Sequence, residues 1–95
     1  MTAGFEWDIE KDLSNQLKHG VSFETAKQAF SDVRHVIILD DKHSEGVEKR
    51  YYCYGKVGDK VLTVRFVLRD GVIRIFGAGW WRKGRKLYEA KNSLH

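Results

Sequence analysis

Arginine and tyrosine residues alternate with other residues along the C-terminal half of the chain. Arg50, Tyr52 and Tyr54 are two positions apart, and Arg65 and Arg74 lie within the two apolar runs that follow. Guanidinium groups bind phosphate through paired hydrogen bonds, and tyrosine rings stack on nucleobases. This combination predicts a surface that binds a polyanion, with RNA as the preferred ligand. The alternative is an exposed antiparallel sheet face with ordinary cross-strand pairs.

A second basic segment follows the adjacent tryptophans Trp80 and Trp81. It contains Arg82, Lys83 and Arg85, which we predict to contact RNA as well. Two successive tryptophans cannot both enter one core, so one is expected to pack and the other to meet a partner. A solvated helix face and a docking surface for an acidic partner are the alternatives.

Charge is distributed unevenly along the sequence. Residues 1–48 include ten acidic and five basic side chains, whereas residues 49–95 include three acidic and twelve basic ones. Such asymmetry within one small domain indicates a pole that binds a polyanion.

The length and the cysteine content restrict the class of protein. We expect residues 1–95 to form a single domain with one modest core. The only cysteine, Cys53, excludes an internal disulfide, and we predict it to be a small core residue rather than a nucleophile. There is no signal-peptide pattern, and apolar runs such as Val36–Leu39 are too short to span a bilayer. We therefore expect a cytoplasmic protein without membrane contact.

The elements that must position these residues begin with two predicted helices. Asp8 is expected to cap the first helix and Gly20 to end it, with Ile9, Leu13 and Leu17 as its apolar stripe. Ser22 is expected to cap the second helix. The expected buried face of that helix comprises Phe23, Ala26, Phe30 and Val33.

Strands and a last helix follow from alternation and turn signals. Asp70-Gly71 predicts a two-residue hairpin, and Gly55–Asp59 a longer turn. The predicted strands are Phe5–Trp7, Val36–Leu39, Lys49–Tyr54, Val61–Leu68 and Val72–Phe76, and the last helix runs from Trp80 to about Asn92. The fold class is therefore α+β. Two N-terminal helices pack on one face of an antiparallel sheet of four to five strands, and a C-terminal helix follows.

Alternation along these strands assigns residues to the two faces of the sheet. Leu62, Val64, Phe66 and Leu68 share the face expected to meet the N-terminal helices. The residues expected on the second face are Arg50, Tyr52, Tyr54, Thr63, Arg65 and Arg74.

Several short motifs are distinctive in their order and spacing. They are Phe5-Glu6-Trp7-Asp8, Lys18-His19-Gly20-Val21-Ser22-Phe23-Glu24, His43-Ser44, Ile73-Arg74-Ile75 and Tyr88-Glu89. Over residues 4–90 the chain resembles the BrnT family of bacterial toxins. The resemblance implies a RelE-like fold and a type II toxin that cleaves RNA and inhibits translation. It also implies a BrnA-type antitoxin as partner, so that the toxin contacts DNA only through that antitoxin.

The chain departs from the family pattern at two glycines. Gly79 stands where the family usually has an arginine, and Gly84 where it usually has a glutamate. The departure indicates either a subfamily in which Arg82 or Arg85 substitutes, or a weakened enzyme.

The chemistry implied by the resemblance needs no metal ion. The 2′-hydroxyl of RNA attacks the adjacent phosphate, and the protein aligns the attack, transfers protons and stabilises the charged intermediate. We predict Arg50 and Arg74 as stabilising catalytic residues, and Arg65 suits the same role. Glu48 is predicted as a base and His19 as a group that exchanges protons near neutral pH. His19 has an alternative role in capping helix carbonyls, and Tyr88 could donate a proton or anchor the last helix. The residues predicted to bind RNA are Arg65, Tyr52, Tyr54, Arg82, Lys83 and Arg85.

Three function classes remain open from the sequence. The first is a metal-independent ribonuclease toxin that uses no cofactor. The second is a non-catalytic module of the same fold that binds RNA or an antitoxin. The third is a purely structural interaction protein whose basic half binds an acidic antitoxin. A loop with Asp40, Asp41, His43 and Glu45 matches no standard metal-site spacing, so we predict no metal site.

Overall fold

The computed structural model describes residues 4–44 and 46–93. Within these residues a five-stranded sheet packs with three α-helices. The strands are β1 (Phe5–Trp7), β2 (Val36–Leu39), β3 (Arg50–Val57), β4 (Lys60–Arg69) and β5 (Val72–Gly79). The helices are α1 (Ile9–His19), α2 (Phe23–Ala26) and α3 (Arg82–Lys91), and short 3-10 helices cover Lys27–Ser31 and Asp41–His43. The predicted α+β class is confirmed.

The sheet is mixed rather than antiparallel. Its strand order is β1-β5-β4-β3-β2, and every neighbouring pair is antiparallel except β1 and β5. In that parallel pair Phe5 lies opposite Ile73 and Trp7 opposite Ile75. The antiparallel prediction is wrong at this edge. Only a tight hairpin forces two strands to run antiparallel, and β1 is joined to β5 by most of the chain.

The two hairpins differ in how well their turns were predicted. Asp70 and Gly71 both have positive φ, 51° and 78°, as the predicted two-residue hairpin requires. The turn between β3 and β4 is shorter than predicted, because Gly55 stays within β3 and only Gly58 and Asp59 form the turn. Gly55 is needed inside the strand, since a Cβ there would overlap the carbonyl of Ala29.

Helix α1 has the predicted ends, but its apolar stripe does not face the sheet. The Asp8 carboxylate accepts hydrogen bonds from the first turn, and Gly20 ends the helix with a φ of 69°. The apolar stripe, however, faces solvent, with Ile9 68% exposed, Leu13 55% and Leu17 90%. The expected packing of this helix on the sheet therefore does not use its apolar stripe. Periodicity shows which side chains share a face, but it does not show which face turns inward.

Asn15 holds α1 against the sheet instead. Its amide nitrogen donates to the carbonyls of Val21 and Ala78, at 3.0 and 2.9 Å, and its oxygen accepts from the Ala78 N–H at 3.2 Å. Asp12 adds a hydrogen bond from the Phe23 N–H at 2.9 Å. Helix α1 is therefore attached to β5 by polar groups that a hydrophobic pattern does not reveal.

The second predicted helix is a single α-helical turn followed by a 3-10 helix. Ser22 caps α2 as predicted, and Phe23 and Ala26 are buried as predicted. The prediction that Val33 is buried is wrong, because the chain leaves the helix at Asp32 and the Val33 side chain is exposed. This segment covers the face of the sheet that bears Leu62, Val64 and Phe66. The main core comprises Val21, Phe23, Ala26, Ala29, Cys53, Leu62, Val64, Phe66, Ile75 and Ala78.

Helix α3 packs on the second sheet face and begins at Arg82 rather than Trp80. It buries Tyr88 against Tyr54 and Val61 in a smaller apolar cluster. Leu68, expected on the core face, is half exposed near the Asp70-Gly71 hairpin. None of the helices in the described ranges is long and apolar enough to cross a membrane.

Candidate nucleic-acid interface

The strand register places the predicted polar residues on one side of the sheet. Tyr52 lies opposite Arg65, and Tyr54 lies opposite Thr63. One row further along the sheet, Val67 lies opposite Arg50 on β3 and opposite Arg74 on β5. We call this side the basic face, defined by Arg50, Tyr52, Tyr54, Thr63, Arg65 and Arg74. Helix α3 covers the end with Tyr54 and Thr63, whereas Arg50, Tyr52, Arg65 and Arg74 are partly exposed.

A bulge in β5 adds an aromatic ring to the basic face. Arg65 is in register with Gly77, whereas the next residue, Phe66, is in register with Ile75. Phe76 is therefore the extra residue of the bulge. Gly77 lies directly beneath the Arg65 side chain, because a Cβ at Gly77 would lie 3.5 Å from its Cδ.

The Phe76 ring is flanked by two guanidinium groups. The central carbon of Arg50 lies 5.1 Å from the ring centre, and that of Arg65 lies 4.9 Å from it. Each such cation–π contact contributes about 0.5–1 kcal/mol at an exposed site. None of the ion pairs among residues 4–44 and 46–93 involves Arg50 or Arg65. An aromatic ring thus holds two positive charges together, and both remain able to accept an anionic ligand.

Arg74 and Glu48, which were also predicted as catalytic, each form an ion pair within the protein. Arg74 donates to Glu6 at 3.2 Å, across the parallel β1–β5 pair. Glu48 accepts two hydrogen bonds from Arg69, at 3.2 and 3.1 Å. Both pairs are partly exposed. Arg74 lies on the basic face but with a carboxylate beside it, and Glu48 lies at the far end of β4, next to Arg69.

His19 lies at the rim of the basic face. Its ring meets the Trp81 ring edge-on, with the ring centres 5.1 Å apart. His19 also lines a cavity of about 260 Å³ together with Arg65 and Phe76. The fold thus brings His19, at the end of α1, close to Arg65 on β4, although the two residues are far apart in sequence.

A larger cavity lies where the basic face meets the start of α3. Its volume is about 510 Å³. The lining residues are Tyr52, Tyr54, Thr63, Arg65, Trp81, Arg82, Lys83 and Gly84. Five of the six residues predicted to bind RNA are among them. Arg85, the sixth, lines a neighbouring cavity with Trp80 and Lys60, and this cavity shares Trp81 and Arg82 with the first.

Tyr52 is fixed by a buried carboxylate behind it. Its hydroxyl is hydrogen-bonded to Asp40, and burial together with the Asp40 charge raises the pKa of Tyr52. Asp40 also accepts from His43 Nδ1 at 2.8 Å. Burial opposes ionisation of Asp40, but the hydrogen bonds from His43 and Tyr52 outweigh it, so the pKa of Asp40 lies below its ordinary value. The ring of Tyr52 stacks on that of Tyr54, with centres 5.8 Å apart and planes 16° apart.

The two glycines that depart from the family pattern are both places of close packing. A Cβ at Gly79 would lie 2.6 Å from the Trp81 ring. A Cβ at Gly84 would overlap the Thr63 hydroxyl and lie 3.0 Å from the Tyr54 ring. Glycine at these positions lets Trp81 and the first turn of α3 approach the sheet. A larger side chain at either position would push them away.

Tyr88 and Cys53 have structural surroundings. The Tyr88 hydroxyl donates to Asp32 at 2.6 Å, and burial followed by this bond raises the pKa of Tyr88 to about 12. The contact anchors α3, which was one of the two roles considered for Tyr88. Cys53 is fully buried as predicted, and burial raises the pKa of its thiol to about 12.

Phe76 and Trp81 are the site residues that the sequence did not identify individually. A bulge cannot be read from alternation, and Gly77 is the only local signal of one. In the described residues, no three histidine, cysteine or carboxylate side chains come close enough to hold a metal ion. Of the loop considered earlier, Asp40 and His43 form a pair, and Glu45 lies outside the described residues.

The fold and this surface define a class of protein. A small α+β domain with paired arginines, stacked tyrosines and a histidine at the rim has the groups that bind and act on a nucleic-acid backbone. Residues 7–84 match the family model described as the ribonuclease toxin, BrnT, of type II toxin–antitoxin systems, and the chain belongs to this family. No curated protein matches the sequence.

Proposed function

We propose that this chain is an endoribonuclease that cleaves RNA on the basic face without a metal ion and thereby inhibits translation in the cytoplasm. Family membership supports ribonuclease activity in a toxin–antitoxin system. The observation that carries the proposed site is the flanking of Phe76 by Arg50 and Arg65, with His19 in the same cavity as Arg65 and Phe76.

The proposed reaction divides the work among these residues. His19 accepts the proton of the 2′-hydroxyl as that oxygen bonds to phosphorus. Arg50 and Arg65 stabilise the negative charge that develops on the phosphoryl oxygens. The bond from phosphorus to the 5′-oxygen then breaks, and a water molecule protonates the leaving oxygen. The hydroxide formed from that water takes the proton back from His19, which restores the starting state of the enzyme. The products are a 2′,3′-cyclic phosphate and a free 5′-hydroxyl.

Arg74 and Glu48 remain part of the proposal in roles set by their partners. Arg74 must exchange Glu6 for a phosphate, so it is proposed to bind the RNA backbone beside the reacting phosphate rather than at it. Glu48 is the alternative proton acceptor, and it must leave Arg69 to act.

The test is cleavage of a defined RNA oligonucleotide by purified protein in excess EDTA. We expect cyclic-phosphate products, and a rate lowered about 10²–10³-fold by Arg65→Ala or Arg50→Ala, as is typical when one charge-stabilising group is removed. Arg34→Ala is the matched control, because Arg34 is an exposed arginine outside the cavities of the basic face. Far-ultraviolet circular dichroism checks that each variant is folded.

Three outcomes would contradict parts of this proposal. Cleavage that stops in EDTA and returns with Mg²⁺ would contradict metal independence. Full activity of both Arg50→Ala and Arg65→Ala would show that the site is elsewhere. RNA that is bound but never cleaved would favour the non-catalytic binding module.

The partner is proposed on the same grounds. A type II family implies an antitoxin, and we propose a BrnA-type antitoxin that covers the basic face, with DNA contacted only through it. A complex of the two proteins should then neither bind nor cleave RNA. A complex that still binds RNA with the affinity of the free toxin would contradict this arrangement.

A further inference from the structure

The 510 Å³ cavity at the start of α3 has walls of two kinds. One wall is aromatic, formed by the stacked pair of Tyr52 and Tyr54 and by the Trp81 indole. The other is cationic, formed by Arg65, Arg82 and Lys83, and the lining includes no acidic residue. Aromatic faces and cations without carboxylates suit a ligand that has both a flat ring and a negative charge.

The position of Trp81 is fixed from two sides. Its indole packs against Gly79, where any Cβ would lie 2.6 Å from the ring, and against the edge of His19. Trp80, by contrast, contacts Lys60 at 5.7 Å and does not line this cavity. The two adjacent tryptophans therefore have different surroundings, and Trp81 is the one that lines this cavity.

The start of α3 adds to the positive character of the cavity. Trp81 occupies the N-cap position without a side-chain cap, and the first turn contains no acidic residue. The backbone N–H groups of a first helical turn have no partner within the helix and favour anions. Arg82 and Lys83 are exposed in this same turn, so their side chains are accessible to a phosphate at the mouth of the cavity.

We propose that this cavity is a nucleotide-binding subsite, which we call the base pocket. One nucleobase of the bound RNA stacks against Trp81 and Tyr52, and its phosphate binds Arg82 and Lys83. Arg65 lines both the base pocket and the cavity with His19, so the base in the pocket is adjacent to the reacting phosphate. The protein therefore cleaves RNA with a preference for one base at one position. This inference rests on the proposed function.

The first experiment measures binding of single nucleotides without cleavage. Adenosine, guanosine, cytidine and uridine 5′-monophosphates are titrated separately while the indole N–H signals are followed by NMR, with inorganic phosphate as the charge-only probe. We expect the Trp81 signal to shift, and at least one nucleotide to bind about tenfold more tightly than phosphate, which corresponds to about 1.4 kcal/mol and is of the size that stacking of one base contributes.

The neighbouring tryptophans supply the matched variants. Trp81→Leu should weaken binding of the preferred nucleotide about tenfold or more, whereas Trp80→Leu should leave it unchanged. Because Trp81→Leu could loosen α3, Lys83→Ala is the second variant; Lys83 is exposed, and its loss should weaken nucleotide and phosphate binding alike. Equal affinity for phosphate and all four nucleotides, or unchanged binding in Trp81→Leu, would overturn the base pocket.

A parallel cleavage assay separates this inference from the proposed function. RNA that is cleaved at the same rate whichever base is present, together with no nucleotide binding, would refute the base pocket and leave the ribonuclease proposal standing. Nucleotide binding as expected with RNA left intact would refute the ribonuclease proposal and support the pocket. Cleavage with a preference that Trp81→Leu removes and Trp80→Leu retains would support both.

Discussion

Replacement of Asn15 by alanine should be the most destabilising single change on α1. The side chain makes three buried hydrogen bonds, two donated to the carbonyls of Val21 and Ala78 and one accepted from the Ala78 N–H. Each hydrogen bond contributes about 1 kcal/mol net, so the loss is about 3 kcal/mol. A domain of this size has a free energy of unfolding of about 5–15 kcal/mol, so a substantial part of the stability is at stake.

Leu17→Ala is the matched control on the same helix. Because the Leu17 side chain is 90% exposed, its truncation should change the free energy of unfolding by about 0.5 kcal/mol or less. A buried leucine would lose about 2–5 kcal/mol in the same substitution. The pair of variants therefore measures directly which face of α1 meets the sheet.

Urea unfolding followed by circular dichroism gives both free energies, and thermal unfolding checks them. For a domain of this length, 3 kcal/mol corresponds to a fall in Tm of about 12–24 °C. Amide hydrogen exchange adds a local measurement, because the Ala78 N–H loses its acceptor in Asn15→Ala and should exchange faster. A larger loss of stability in Leu17→Ala than in Asn15→Ala would refute this account of α1.

Three further changes test other contacts. Tyr88→Phe removes the donor to Asp32, whose pKa lies below its ordinary 3.8 because hydrogen bonds from Tyr88 and two backbone N–H groups outweigh burial. The stability that this lowered pKa contributes is present above about pH 4 and is lost as the pH falls through the folded-state pKa of Asp32. The Tyr88→Phe variant should therefore be less stable than the parent protein at pH 7, and it should lose less stability than the parent on acidification to pH 3. Gly84→Ala should lower the urea midpoint, because overlap with Thr63 costs about 1–3 kcal/mol and outweighs a gain of about 1 kcal/mol in helix propensity. Cys53 should not react with a thiol reagent at pH 8 in the folded protein, because burial raises its pKa to about 12, whereas the unfolded chain should react at once.

Each of these expectations has a clear contrary result. An unchanged loss of stability between pH 7 and pH 3 in Tyr88→Phe would show that Asp32 gains nothing from the tyrosine. A higher urea midpoint in Gly84→Ala would show that α3 can move away from Thr63 without cost. Reaction of Cys53 at the same rate in folded and unfolded protein would contradict its burial.

Features that depend on neighbouring residues were predictable from the sequence. Asp8 and Ser22 each accept hydrogen bonds from the first turn of the helix that they cap, and Gly20 ends α1 in the left-handed conformation. Asp70 and Gly71 form the two-residue hairpin. The signal in each case lies within a few residues, because the hydrogen bonds and backbone angles involved are local.

Features that depend on distant residues were not predictable in this way. The inward face of α1 is decided by Asn15 bonding to Ala78, which lies 63 positions away. The bulge that turns Phe76 onto the basic face depends on the register between β4 and β5. Alternation predicted the shared face of Arg50 and Arg65, but it could not show that an aromatic ring lies between them.

The group that each arginine contacts indicates its role better than the number of arginines on the basic face does. An arginine beside a carboxylate, such as Arg74 beside Glu6, must first break an ion pair before it binds a phosphate. Arg50 and Arg65 contact the Phe76 ring, and a ring neutralises less of the charge than a carboxylate does. The basic face is therefore graded, with its most available positive charge around Phe76. A phosphodiester bound there would lie beside the cavity with His19 and beside the base pocket, because Arg65 lines both.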